Sequence, residues 1–304
     1  MNKTFYSNGK LLITGEYLVL DGAKAFALPT KMGQDLIIES LGEENLIQWK
    51  SFDYDQSVWF ETTLKTNEII SNPLSIIEND VTGVLRKLLF EAHKLNPEVL
   101  PNKGFAVETH LTFPRFWGLG TSSTLINNVA QWFEIDAFEL LRNSFGGSGY
   151  DIANAQNSTP ITYQLLGDKP IVKQVIFNPD FTKNLYFLYL NQKQNSKAAI
   201  ATYKSKKQDI QKVRMEIDAI TNKIITVSDQ FEFEDLLQKH ETILSTVLEM
   251  EKVQERFFGD FKGTIKSLGA WGGDFVLVVS TANPIAYFKA KGYNTLLHYD
   301  EMIL

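Results

Sequence analysis

The sequence predicts a mixed α+β protein built as two domains, and three observations carry that reading. Strand-length apolar or alternating runs dominate the first 115 or so residues. A strand, a glycine–serine loop and a helix follow one another between Phe105 and Phe133, and the second half sets strands beside two long amphipathic helices. A length of 304 residues fits two domains of roughly 100–200 residues each. The junction is expected near residue 160, giving 1–160 and 161–304.

Leu11 to Leu20 is almost continuously apolar, broken only at Gly15-Glu16, and Leu36–Leu41, Leu46–Phe52 and Ser57–Leu64 are further strands between Gly, Asn and Asp turns. Val81–Leu95 is a helix, because Val84, Leu85, Leu88 and Leu89 share one face. Phe105 to Phe113 alternates apolar and polar residues as a half-buried strand does. After Gly118–Ser123, Leu125, Ile126, Val129 and Trp132/Phe133 recur at helical spacing. Ile161–Leu166, Ile171–Phe177 and Leu185–Leu190 are strands. Ile210, Val213, Ile217, Ile220 and Ile224 step along one helix face, a second helix runs from about Phe233 to Phe257, and Phe275–Ser280 and Tyr293–Tyr299 close the chain as strands.

Composition narrows the function. Apolar residues are 44% and charged residues 22%, an ordinary globular balance. The net charge of −6 leaves no basic excess for a phosphate-backbone footprint, so no nucleic-acid partner is expected. With no cysteine, disulfides, thiol nucleophiles and thiolate metal sites are excluded. The four histidines, His93, His110, His240 and His298, show no ligand spacing. The first ten residues carry no apolar core of a signal peptide and no run reaches the ~20 residues of a membrane span, so a cytoplasmic location with no membrane partner is expected. The sequence leaves open whether two copies pair as a homodimer.

Four segments can carry chemistry. Gly118-Leu119-Gly120-Thr121-Ser122-Ser123 lies between a strand and a helix, where backbone N–H groups and the helix dipole favour an anion and a hydroxyl can ligate Mg²⁺. The same residues, taken alone, fit a tight turn with a Ser or Thr helix cap. Gly146-Gly147-Ser148-Gly149-Tyr150-Asp151 places a carboxylate after a glycine-rich loop, suited to orienting a proton or equally to capping a helix. Gly269-Ala270-Trp271-Gly272-Gly273-Asp274 runs into the strand at Phe275 and permits close backbone approach, as would a plain hairpin turn. Lys10 precedes the strand Leu11–Ile13, an ordinary place for a solvated charge.

The order of these segments resembles the GHMP small-molecule kinases, the family of galactokinase and of homoserine, mevalonate and phosphomevalonate kinases. Asn8-Gly9-Lys10-Leu11-Leu12-Ile13-Thr14-Gly15-Glu16-Tyr17 through Gly22 is similar to the first family motif, Gly118–Ser123 to the phosphate loop, Ser148-Gly149-Tyr150-Asp151 to the Ser-Gly-x-Asp motif, and Gly269–Asp274 to the glycine-rich third motif. The resemblance spans residues 8 to 274 and implies the two-domain GHMP kinase fold, an N-terminal mixed α/β ATP-binding domain plus a ferredoxin-like C-terminal one.

It also implies roles. ATP and Mg²⁺ are the expected cofactors, and a small-molecule acceptor the expected partner. Asp151 is the expected catalytic carboxylate, with Lys10 near the acceptor hydroxyl and γ-phosphate. Gly118, Leu119, Gly120, Thr121, Ser122 and Ser123 are expected to hold the phosphates, with Ser122 also ligating Mg²⁺. The acceptor is expected beside Ser148, Gly149, Tyr150, Gly269, Ala270, Trp271 and Gly272. Ser196, flanked by Lys193 and Lys197, is a further acceptor contact or the cap of a following helix. Glu139 is the nearest counterpart of the acidic Mg²⁺ ligand, a position that also reads as a solvated helix face.

Some positions depart from the family pattern. Phe116 and Trp117 are bulky ahead of the loop, Trp271 stands at an expected glycine, and Asp274 at an expected glycine or small residue. Gly15-Glu16-Tyr17 and Gly149-Tyr150-Asp151-Ile152-Ala153 look closer to phosphomevalonate kinases, whereas Lys10 with Asp151 suits mevalonate equally. The resemblance thus implies phosphoryl transfer to mevalonate or phosphomevalonate in isoprenoid precursor synthesis. Alternatives are a kinase for a sugar or amino-acid alcohol and a non-catalytic ligand-binding member, the latter disfavoured because Lys10, Ser122 and Asp151 are all present.

Overall fold

Period-2 alternation builds the strands and 3.6-residue periodicity the long helices in both halves of the chain. The structure, a computed structural model, describes residues 2–42, 44–71, 80–192, 203–204, 210–271 and 273–304. By packing, these form two units that interleave along the chain. One comprises Met1–Gly9, Met32–Arg115 and Leu119–Gln156, the other Lys10–Lys31, Phe116–Gly118 and Asn157–Leu304. The sequence suggests a boundary near residue 160, and packing makes the chain cross after Gly9, Lys31, Arg115, Gly118 and Gln156.

The strands and helices up to residue 156 are β1 (Lys3–Thr14), β2 (Ala25–Gly42), β3 (Leu46–Phe52), β4 (Val58–Lys65), α1 (Thr66–Ser71), α2 (Val81–Leu95), β5 (Gly104–Leu111), α3 (Thr121–Phe133), α4 (Ala137–Ser144) and α5 (Tyr150–Ala155). In the first unit β3 pairs antiparallel with β4 and parallel with β5, and β5 pairs antiparallel with β2, Gln34 opposite Leu111. The Asp80 carboxylate caps α2 by accepting from the Gly83 amide at 2.7 Å, and the helix stops at Asn96, the residue before Pro97. Leu85, Leu88, Leu89 and Ala92 of α2 bury against Ile38, Trp49 and Val107 of the sheet and Ile126, Val129 and Phe133 of α3. Each of the leucine, isoleucine, valine and phenylalanine side chains contributes about 1.5–3 kcal/mol on leaving water.

The second half adds β6 (Ile161–Leu166), β7 (Lys169–Gln174), β8 (Leu185–Tyr189), α6 (Ile210–Thr226), α7 (Gln230–Leu248), α8 (Val253–Phe257), β9 (Thr264–Ser267), β10 (Phe275–Val279), α9 (Ile285–Ala290), β11 (Leu296–His298) and α10 (Tyr299–Met302). In the second unit the start of β2 pairs with β6, and β6 with β7. A four-stranded antiparallel sheet, in the order β11-β8-β10-β9, packs with α7 on β9 and α6 on α7, the ferredoxin-like part of the α+β fold. Helix α6 buries Ile217, Ile220 and Ile224, the face that its periodicity marks.

Three readings need correction. The Leu11–Leu20 run is not one strand: β1 ends at Thr14, because Gly15 (φ +90°) and Tyr17 (φ +60°) turn the chain into a 3-10 segment over Leu18–Asp21. The helix expected from Phe233 to Phe257 is two, broken where Glu249 takes φ +53°. Helices α1, α4, α9 and α10 are not expected from the sequence, since each is too short for periodicity to mark it, and the closing strand is cut to Leu296–His298 where α10 begins at Tyr299.

A buried charged cluster holds the second unit's loops together. Lys266 and Glu16 are fully buried and meet at 2.5 Å, with the Lys266 ammonium also donating to the Ser267 carbonyl at 2.7 Å. Burial pushes the Glu16 carboxyl up to about 7 against the pull of Lys266. The Gly15 N–H donates to His240 Nε2 at 3.1 Å, so His240 carries its proton on Nδ1, and burial holds the imidazole well below its usual range. Glu241 accepts from the Ser267 amide and hydroxyl at 3.0 and 2.8 Å. Removing one partner strands the other's charge in the core. Lys266→Met is expected to cost about 3–5 kcal/mol in urea unfolding, and the added change Glu16→Leu to recover most of it. A single-variant cost below about 1 kcal/mol would show that the pair does not hold the two loops.

Candidate active site

Backbone geometry sets the two ends of the candidate phosphate loop differently. At Gly120 the chain takes φ +100°, ψ 35°, and α3 begins with no side-chain cap on its first turn. The Ser123 hydroxyl turns back onto the Gly120 carbonyl at 2.8 Å, while Ser122 is exposed. The helix-cap alternative for these hydroxyls is therefore not what the loop adopts. The same holds at α5. Its cap is Gly149, φ +87° with no side-chain cap bond, and Asp151 is the second residue of the helix, half-buried. Ser148 is buried and Tyr150 half-buried beside it.

Thr121 and Ser122 border a cavity of about 430 Å³ in the first unit. Its walls are mostly apolar, with Trp49, Trp59, Val84, Leu85, Leu88 and Leu125 contributing, and the indole N–H of Trp59 has no partner. Ligand pockets typically hold about 300–1,000 Å³ and combine such walls with a few polar groups. A planar aromatic group suits the walls, and an anion suits the uncapped start of α3. The sequence reading missed these wall residues, which come from β3, β4, α2 and α3 and share no local motif.

In the second unit, Lys10 donates from Nζ to the Gly118 carbonyl at 3.1 Å. Gly118 has φ +70°, and a Cβ there would overlap the Asp274 carboxylate. Lys10, Gly118 and Asp274 thus meet at one point. The Asp274 charge also helps burial to raise the phenols of Tyr17 and Tyr189 above their usual range.

The positions that depart from glycine keep a glycine-like backbone. Trp271 has φ +47° and Asp274 φ +52°, both in the left-handed region, where an L-residue costs about 1–2 kcal/mol. Trp271 is 1% exposed and packs with Tyr17, Leu18, Tyr203, Ile217 and Leu244. Gly269 and Ala270, ahead of it, are half-buried. Within the second unit, Trp117 packs edge-on to Phe275 of β10 at 5.3 Å, and the Tyr189 hydroxyl of β8 donates to the Phe116 carbonyl at 3.3 Å, while the Phe116 side chain is exposed.

Glu139 is exposed in the first turn of α4, and no group of three His, Asp or Glu that could hold a metal occurs among the described residues. Ser196 and Gly272 lie outside the described residues, as do Lys193 and Lys197. Among the described residues no helix is long and apolar enough to cross a membrane.

No protein-family model and no curated protein matches the sequence. Solved structures do match. Mevalonate kinase from Methanococcus jannaschii is 16% identical with a TM-score of 0.70, over 97% of this chain and 96% of that one. Phosphomevalonate kinase from Streptococcus pneumoniae, in complex with phosphomevalonate and AMPPNP, is 15% identical with a TM-score of 0.67, over 95% of each chain. Galactokinase from Lactococcus lactis, complexed with galactose, is 13% identical with a TM-score of 0.65, over 95% of this chain and 88% of that one. The chain therefore has the fold shared by these small-molecule kinases, as its motif order implies.

The contact at Gly118 is testable. Gly118→Ala adds both a strained φ and a clash with Asp274, and is expected to lower stability by about 2 kcal/mol or more. Asp274→Ala should relieve the clash alone, so a double-mutant cycle should show coupling above about 0.5 kcal/mol. Strict additivity would separate the two residues.

Proposed function

We propose that this chain, with its two-unit kinase-like fold, is an ATP- and Mg²⁺-dependent small-molecule kinase of the mevalonate branch. The observation that carries the reading is the cavity beside the uncapped helix start at Thr121–Ser122. A nucleobase fits its tryptophan and aliphatic walls, and phosphates fit the amides of the loop from Gly118 to Ser123. The proposed division of labour puts ATP on the N-terminal part of the chain.

The metal is inferred from the donor set. An exposed Ser122 hydroxyl at the phosphate end, with no cage of carboxylates among the described residues, suits Mg²⁺, which is usually held by one or two protein ligands together with substrate phosphates. When bound it would neutralise charge on those phosphates.

The residues of this chain then do the rest. Lys10, fixed through the Gly118 carbonyl, presents a positive charge to the transferred group. Asp151, in the first turn of α5 and not engaged as its cap, orients or accepts the proton of the acceptor hydroxyl. Trp271 supports the glycine-rich loop from the core, leaving Gly269 and Ala270 to approach the acceptor.

The acceptor in this reading is mevalonate or phosphomevalonate, supported by the Gly15-Glu16-Tyr17 and Gly149-Tyr150-Asp151 sequences. ATP turnover measured in parallel with mevalonate, phosphomevalonate, homoserine and galactose tests it. Turnover with one of the first two is expected, and turnover only with galactose or homoserine would move the chain to another branch. Asp151→Asn should lower kcat by about 10²–10⁴-fold with an alcohol acceptor while ATP affinity stays constant. A loss under about tenfold would point to phosphomevalonate, whose phosphate is already anionic near neutral pH. Wild-type turnover in that variant with every acceptor would remove Asp151 from the chemistry.

A further inference from the structure

Helix α3, which opens at the phosphate loop, buries two adjacent asparagines where apolar residues would pack without any hydrogen-bonding demand. Asn127 and Asn128 are 3% and 0% exposed, and each amide is engaged on both its oxygen and its nitrogen. A buried amide that loses one partner carries a desolvation cost, so such a network is either complete or a liability.

The bonds form one path. The Thr124 backbone N–H donates to the Gly120 carbonyl at 2.9 Å, and its hydroxyl donates to the Gln34 side-chain carbonyl at 2.7 Å. Asn128 Nδ2 donates to the Gln34 carbonyl at 2.9 Å, and its Oδ1 accepts from the Ser7 hydroxyl at 2.6 Å. Asn127 Nδ2 donates to that same Ser7 oxygen at 2.8 Å, and Asn127 Oδ1 accepts from Gln156 Nε2 at 3.0 Å. Gln156 is the C-cap of α5, the helix whose first turn holds Asp151. From inside α5, Asn154 Nδ2 donates to the carbonyl of Gly9, the residue before Lys10, at 3.2 Å, while its Oδ1 is buried with no partner, the one incomplete amide of the path. The path therefore begins at the phosphate-loop turn and ends on the segments bearing Asp151 and Lys10.

We propose that this network is a positioning device: Ser7, Asn127, Asn128, Asn154 and Gln156 lock the helix of Asp151 to the helix that opens at Gly120, and so hold the carboxylate in register with the bound phosphates. None of them touches substrate; each acts through the backbone it anchors. The kinetic part of the proposal rests on the kinase reading above, whereas the mechanical part does not.

Gln156 gives the cleanest test, because it is exposed and its replacement opens no core cavity. Gln156→Met removes the donor to Asn127 and keeps the bulk; Gln156→Lys restores a donor. Gln156→Met is expected to lower kcat by about 3–10-fold with KM for ATP within about twofold, the range of one lost hydrogen bond. It should also speed amide hydrogen exchange across Tyr150–Ala155 and leave α2 unchanged, and Gln156→Lys should reverse both effects. Wild-type exchange in α5 of the Met variant, or equal loosening of α2 and α5, would overturn the proposal. If the wild-type protein transfers no phosphoryl group, the exchange pattern still decides the network, and only the kinase reading falls.

Discussion

Glu16 and Lys266 are separated by 250 positions in sequence, yet their side chains meet at 2.5 Å with neither exposed to water. Much of the second unit's geometry follows from that contact. Glu16 sits in the turn just after β1, the strand that carries Lys10, and Lys266 belongs to β9, the strand that feeds the glycine-rich loop. A charge buried this deeply is tolerated only with its partner in place, so the pair admits one register between the turn and the strand. His240 and Glu241, on α7, close the remaining sides by bonding to Gly15 and Ser267. The cluster thus converts a desolvation penalty into positional precision for Lys10 and for the loop from Gly269 to Asp274.

Backbone conformation does the complementary work at the loops. Gly118, Gly120, Gly149 and Gly269 all adopt positive φ, and at Gly118 the missing side chain is what admits the Asp274 carboxylate. Trp271 and Asp274 take the same left-handed conformation without being glycine, and each has a local reason. The indole of Trp271 fills the core beside Tyr17 and Leu244, and the Asp274 carboxylate packs on Gly118. Strain of this kind persists where the surroundings over-determine the backbone, and it concentrates at functional loops.

The α+β class and most elements were legible in the sequence because their signals are local. The strand Leu46–Phe52 and the helix Val81–Leu95 have the bounds that pattern alone suggests, and the isoleucine steps of α6 mark its buried face. Motif order likewise pointed to the fold that the solved kinases share. What stayed hidden depends on tertiary contact. The tryptophan walls of the cavity come from a strand pair and two helices with no shared motif. The Glu16–Lys266 pair and the Ser7–Asn127–Asn128 network join residues more than 100 positions apart. The end of β1 at Thr14 was obscured because Leu18 to Leu20 continue the apolar run, although Gly15 and Tyr17 break the strand by taking positive φ.

The proposed function requires a nucleotide seated against Trp49 and Trp59, with its phosphates at the start of α3. Titration with AMPPNP, read by tryptophan fluorescence and by calorimetry, tests it directly, using the intact chain and a variant carrying Leu88→Trp to fill the cavity. Saturable binding of one nucleotide per chain with a fluorescence change is expected, abolished by the filled cavity while the fold is retained. Absence of binding to the intact chain at millimolar nucleotide, or undiminished binding to a folded Leu88→Trp protein, would contradict it.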